Sequence, residues 1–279
     1  MDAAELIDLE RYPLDRPESD AFAALLAQVR QDLDRDGCAV LKGFLRPSGI
    51  AAGVAEAERA SVHAHRSFNR TNAYFTQSDP SLPPDHPVNR FYDRSNAFVP
   101  ADSFAPGDAL RTVFDMPGFD PFIKAAFRQD RFFRYADPLA DVIVNMAVEG
   151  NGFPWHFDTN NFTVTIALQN AEGGGAFEYA PDIRRGGEDF DAVARVLDGT
   201  SDQVKILNLE PGDLQLFKGR YSLHRVAPLT GARPRYVAIF SYVEEPDMVG
   251  APERVRQLYG KVLPIHLERA GRRADTYLD

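Results

Sequence analysis

The chain has 279 residues, 44% of them hydrophobic, which is enough for a sizeable core and excludes a disordered protein. Its 31 basic and 41 acidic side chains leave a net charge of −10, which argues against nucleic acid or an anionic membrane as a partner. A single cysteine, Cys38, excludes an intrachain disulfide, and no apolar run approaches the ~20 residues that span a bilayer.

The first residues, Met1-Asp2-Ala3-Ala4-Glu5, are acidic and lack the basic-then-apolar order of a signal peptide. The expectation is a soluble, cytoplasmic, globular protein, organised as one domain over residues 1–279. A helix is expected over 20–35, because Phe22, Leu25, Leu26, Val29 and Leu33 form one apolar stripe. Ser19 or Asp20 caps its start and Gly37 ends it. Cys38 to Leu41 reads as a short buried strand, and Pro47-Ser48 opens a second helix running to about residue 62.

Residues 64–107 carry prolines at 80, 83, 84, 87, 100 and 106, which break long elements. They also carry Phe68, Tyr74, Phe75, Phe91, Tyr92, Phe98 and Phe104, with Arg66, Arg70, Arg90 and Arg94 among them. So many aromatics argue for order. The stretch reads as a lid-like cover or as a loop packed on a sheet.

Two short helices are expected over 108–128, separated by Pro117-Gly118. The pattern then turns to β. Val142 to Val148 is a strand, Gly150-Asn151-Gly152 a turn, and Phe162, Val164, Ile166 and Leu168 alternate as a half-buried strand. Gly173-Gly174-Gly175 is a turn into the strand Ala176–Tyr179. No Lys-Ser/Thr follows it, so it is not a phosphate loop. Residues 187–198 form an inserted helix, and strands follow at 204–209, 214–217 and 235–243. Helix resumes near 252–259, ahead of a C-terminal tail after Pro264. Many short strands with tight turns between them make the fold mainly β with flanking helices, an antiparallel sandwich or barrel.

The chemistry centres on Trp155-His156-Phe157-Asp158. On an extended chain the alternation of side chains puts His156 and Asp158 on one face. Of six histidines, only His156 and His224 fall in the β region beside turns. Two histidines and one carboxylate are the facial triad that holds iron(II) and leaves positions open for a bidentate 2-oxo acid and dioxygen. Such a cosubstrate needs a buried cation for its far carboxylate. Arg235 shares a strand face with Val237, Ile239 and Ser241, so it points inward, whereas Arg233 lies in the turn before Pro234. Asn145 either donates to the cosubstrate or bonds a neighbouring loop. Arg94 either binds a substrate carboxylate or is solvated. Trp155, the one tryptophan, packs on the substrate or in the core.

Trp155-His156-Phe157-Asp158, Gly174 to Tyr179, Pro211-Gly212-Asp213 and His224-Arg225-Val226-Ala227-Pro228 through Arg235-Tyr236-Val237 resemble the iron(II)/2-oxoglutarate-dependent oxygenases. The resemblance is dense over 140–245. Over 36–110 it is thinner and points to the branch of free-amino-acid hydroxylases and radical halogenases. It implies a double-stranded β-helix, or jelly roll, with helices on one side. It also implies iron(II) on His156, Asp158 and His224, 2-oxoglutarate as cosubstrate, stimulation by ascorbate, and a small-molecule substrate. In halogenating members the carboxylate position is a small residue, so Asp158 implies hydroxylation. Two other classes use such a cavity: a zinc-type hydrolase, which needs a general base beside the metal, and a non-catalytic jelly roll.

Overall fold

The computed structural model describes residues 1–269. The rest of the C-terminal tail lies outside the described residues. Two helices, α1 (Ala3–Leu6) and α2 (Asp20–Asp36), precede strand β1 (Cys38–Leu41). The Ser19 hydroxyl accepts the Phe22 N–H at 3.1 Å, and Gly37 ends α2 at φ 64°, so both caps are the residues expected from sequence. Helix α3 (Pro47–Ala60) follows, then β2 (His65–Thr71), β3 (Tyr92–Val99), α4 (Ala109–Phe114), α5 (Phe119–Phe127) and β4 (Phe133–Arg134). The β-rich half comprises β5 (Val142–Ala147), β6 (Phe153–His156), β7 (Thr163–Gln169), β8 (Gly173–Gly174) and β9 (Phe177–Ala180). After α6 (Phe190–Leu197) it continues with β10 (Lys205–Leu207), β11 (Leu214–Phe217), β12 (Leu223–Val226), β13 (Leu229–Thr230) and β14 (Arg235–Val243). Helices α7 (Pro252–Tyr259) and α8 (Pro264–Glu268) close the described chain.

The larger sheet runs β1-β11-β7-β14-β5-β3-β2, with β4 added beside β14. The smaller runs β10-β9-β12-β6, and β8 pairs with β13. The pairings are antiparallel, and the two sheets form a jelly roll. Strand alternation then divides the large sheet's side chains. Val142, Val144, Val164, Ile166, Leu214, Ala238 and Phe240 face outward into a core with the helices, where Phe119 and Phe122 of α5 and Phe114 of α4 meet them. Asn145, Thr163, Thr165, Gln215, Arg235, Val237, Ile239 and Ser241 face inward and line a cavity. Among the described residues no helix is long and apolar enough to cross a membrane.

Three expectations change. Residues 64–107 are not wholly a loop: β2 and β3 pair along their length and extend the large sheet. The prolines at 80, 83, 84 and 87 fall in the connection between these strands, and Pro100 and Pro106 follow β3, so none interrupts a strand. The connection itself is ordered through Asn72, fully buried, which donates to Val88 O at 2.6 Å and accepts from Tyr74 N at 3.0 Å and Thr76 N at 3.1 Å. Strand β7 is buried on both faces, not one, because helices cover its outer side and the barrel its inner side. Asp158 lies two residues past the end of β6, so strand alternation alone does not place it.

Candidate metal centre and its cavity

Strand pairing brings the two histidines together. His224 on β12 sits directly opposite His156 on β6. Between that pair and the next, Val226 opposite Phe153, β6 spends three residues where β12 spends two. This bulge puts Phe153 and His156 on the same side, with their rings stacked at 4.0 Å. The residue between them that bears the tryptophan is turned away. Trp155 packs beside Tyr74, Phe157 and Leu223, under the Arg225 guanidinium, and does not line the cavity. Of the two alternatives read for Trp155, substrate or core, this placement agrees with the core.

Each imidazole is held by its far nitrogen. His156 Nδ1 lies 2.8 Å from Pro154 O, and His224 Nδ1 lies 2.9 Å from Ser222 O. A carbonyl only accepts, so each Nδ1 carries the proton and each Nε2 presents a lone pair to the cavity. The two Nε2 atoms lie 3.6 and 3.4 Å from one oxygen of Asp158, Oδ1. The other oxygen, Oδ2, accepts the Thr163 hydroxyl. Asp158 N donates to Gly219 O at 3.1 Å, and Gly219 has no room for a side chain: a Cβ there would lie 1.9 Å from Oδ2. The three ligand atoms fall within 4.8 Å of one another, and this is the one such group among the described residues.

The electrostatics suit a cation here. Burial, reinforced by His224, lowers His156 to about 3, so its Nε2 stays a free base at neutral pH. Two lone pairs and a carboxylate oxygen converge on one point and repel one another there, and a positive ion between them relieves that repulsion. Two neutral imidazoles and one carboxylate, oriented by backbone carbonyls and a hydroxyl, are a fitting donor set for iron(II).

The cavity has a volume of about 230 Å³ and aromatic walls. Arg235 stands at the start of β14, 7% exposed, where burial lowers it to about 10 and leaves it charged at neutral pH. Asn145, two rows along on β5, donates weakly to Ala97 O at 3.4 Å and also faces the cavity. Arg94 is 4% exposed, against the solvated alternative, and its guanidinium lies 4.0 Å from the Phe153 ring centroid. Arg254 of α7 carries no signal in the sequence beyond flanking the stripe Val255, Leu258 and Tyr259. It nevertheless reaches the same cavity, 4.5 Å from the Phe75 ring centroid, with Arg94 4.8 Å from that ring. Phe75 holds φ 60°, a left-handed conformation that turns its ring toward His156 at 5.6 Å. Burial and repulsion from Arg254 both lower Arg94. Among the described residues lining the cavity, three are arginines and the one acid is Asp158. Thr163, Gly219, Phe75 and Arg254 were not singled out from sequence. The first two act through contacts that no spacing encodes.

A family model described as Halogenase D matches residues 23–254. No curated protein matches the chain. Among solved structures, AviO1 from Streptomyces viridochromogenes Tue57 is 18% identical, covers 79% of this chain and 95% of its own, and superposes with a TM-score of 0.54. The α-ketoglutarate-dependent epimerase SnoN of nogalamycin biosynthesis is 16% identical, with coverage of 80% and 84% and a TM-score of 0.54. HygX from Streptomyces hygroscopicus, solved with nickel, 2-oxoglutarate and hygromycin B, is 11% identical, with coverage of 81% and 91% and a TM-score of 0.51. These likenesses establish the fold of the 2-oxoglutarate/iron(II) oxygenases. The family match runs from the first turn of α2 into α7 and takes in the triad and all three arginines of the cavity, so this chain belongs to the Halogenase D family.

Proposed function

We propose that the protein is a non-haem iron(II)/2-oxoglutarate-dependent dioxygenase that hydroxylates an unactivated C–H bond of a small carboxylate, free amino acids included. The observation that carries the reading is Asp158. Its Oδ1 is aimed between two imidazole lone pairs while Thr163 occupies Oδ2, so the third ligand position is filled by the protein. The family's description favours halide transfer. The resemblance ties that outcome to a small residue at this position, and here an aspartate fills it and Gly219 makes room for it.

His156, Asp158 and His224 would hold iron(II), which with 2-oxoglutarate and dioxygen supplies the oxidising chemistry; ascorbate keeps the metal reduced. Arg235 binds the distal carboxylate of 2-oxoglutarate, since its planar fork stays charged in a buried wall lined by Val237 and Ile239. Asn145 lies on the same floor and donates to the cosubstrate. Arg94 and Arg254 bind the carboxylate of the substrate, which relieves their mutual repulsion. Phe75, Phe98 and Phe153 exclude water and receive its apolar part. A hydrolase reading lacks its general base, because Asp158 is the one acidic group among the described lining residues and it faces the metal.

The test is turnover with iron(II), ascorbate, 2-oxoglutarate and a panel of amino and other carboxylic acids, scored for succinate and for product mass. Succinate with gain of one oxygen is the expected result. Chlorinated product from the wild type would overturn hydroxylation. Asp158→Gly should lose oxygen transfer and gain chloride-dependent iron binding; loss of iron at every chloride concentration would remove the argument from Asp158.

A further inference from the structure

The wall of the cavity that carries Arg254 is not part of either sheet. It is the strap Gly250–His266, and a single carboxylate holds both of its ends. Asp137, fully buried in the connection between β4 and β5, accepts the Gly250 N–H through Oδ2 at 2.9 Å. Its Oδ1 meets His266 Nε2 at 3.0 Å and also accepts the Leu139 N–H at 2.8 Å. His266 is equally buried, and its Nδ1 accepts the Leu263 N–H at 2.9 Å. Since Nδ1 accepts, Nε2 carries the proton and donates it to Asp137. Gly250 lies so close that a Cβ would stand 2.4 Å from Val255 and 3.1 Å from Asp137 Oδ2.

Between these ends lies α7, whose Arg254, Val255, Leu258 and Tyr259 all line the cavity. The apolar packing of α7 is local: Val255 and Tyr259 join a small cluster with Phe98, Ala101, Leu139, Ala140 and Ile143, separate from the main core beneath the helices. A short helix with a small apolar footprint depends on its ends for a fixed pose. The pose matters because Arg254 reaches the cavity from this helix, against the Phe75 ring.

From this arrangement we infer that Asp137 and His266 are positioning residues: their buried hydrogen bond holds the strap closed and so fixes Arg254 at the substrate side of the metal site. The consequence for turnover rests on the substrate-carboxylate reading above; the positioning itself does not.

The test is therefore made on the full-length protein without substrate. In His266→Phe, which keeps a ring and removes both hydrogen bonds of the imidazole, amide exchange over 253–259 and phenylglyoxal labelling of Arg254 should each accelerate ~10-fold or more. Exchange in β7 and β14 should stay within ~2-fold, and so should affinity for cobalt(II) at the triad. His266→Gln, whose terminal amide reaches Asp137, should restore part of the protection. If His266→Phe does not fold, His266→Asn, too short to reach Asp137, takes its place under the same readouts. Unchanged exchange and labelling would overturn the inference, as would acceleration spread evenly over the sheets. Where a substrate is in hand, its KM should rise while the KM for 2-oxoglutarate holds; a rise in both points to general damage and counts against positioning.

Discussion

Thr163→Val isolates the contact that orients the carboxylate ligand. Valine matches threonine in shape and keeps the β-branch that suits β7, so the strand is undisturbed. What goes is the hydroxyl that donates to Asp158 Oδ2. In the wild type that bond leaves Oδ1 turned toward both Nε2 atoms, at 3.4 and 3.6 Å. A hydrogen bond to a charged group is worth ~1.5–3 kcal/mol, and its loss leaves a carboxylate oxygen without a partner in a confined site. That energy corresponds to a ~10- to 150-fold loss of metal affinity, in line with the ~10–100-fold cost of removing a group that orients a ligand. Anaerobic titration with iron(II) or cobalt(II), followed by calorimetry and by the ligand-field spectrum, measures it. Thr163→Ser, which keeps the donor, should bind within ~3-fold of wild type. Equal affinity for Thr163→Val and wild type would falsify the orienting role.

Arg235→Met should raise the 2-oxoglutarate concentration needed for half-maximal succinate formation ~100-fold, with metal affinity unchanged, because a lost bidentate pair costs ~3 kcal/mol. An unchanged requirement would move the cosubstrate anchor elsewhere. The pH dependence of the metal-free protein has a defined sign. His156 falls from 6.5 to about 3 on folding, so between these values the unfolded chain holds a proton that the folded one lacks. Stability should therefore decline as pH falls below 6.5, by at most ~1.4 kcal/mol per pH unit from this group. Urea midpoints of wild type and His156→Phe should run parallel above pH 6.5, and below it the wild type should lose stability relative to the variant; curves that stay parallel down to pH ~4 refute the assignment. Burial raises the Cys38 thiol to about 12. At pH 8 the folded protein should therefore resist iodoacetamide for hours, and rapid alkylation without unfolding would contradict that placement.

The elements that could be read from sequence were those whose local chemistry and packing agree. Helix α2 has an apolar stripe between a serine cap and a glycine stop, and β14 alternates an inner face of Arg235, Val237, Ile239 and Ser241 with an outer face of Ala238, Phe240 and Tyr242. In both, the residues that define the element also bury it. His156, Asp158, His224 and Arg235 were legible because their chemistry is scarce in a β region. Strands β2 and β3 were not. Their charged residues, Arg66, Arg70, Asp93 and Arg94, break the apolar alternation, and nearby prolines suggested a loop although none lies inside a strand. Arg94 is buried by what surrounds it, Phe75 and Phe153, and these come from separate elements. Arg254 and Thr163 were missed for the same reason: their partners lie across the fold, and spacing along the chain holds no record of them.

The bulge in β6 has a consequence for how this lineage can vary. Removing one residue between Phe153 and His156 would leave them two apart, opposite the two-residue step of β12, and simple alternation would still put both on the cavity face. Removing Phe157 instead would change the step from His156 to Asp158, where no bulge takes up the difference. Deletion of Trp155 should therefore keep more cobalt(II) binding than deletion of Phe157, and equal loss from both would refute this. The extra residue of the bulge is the place where this strand can change its length without parting its aromatic wall from its imidazole.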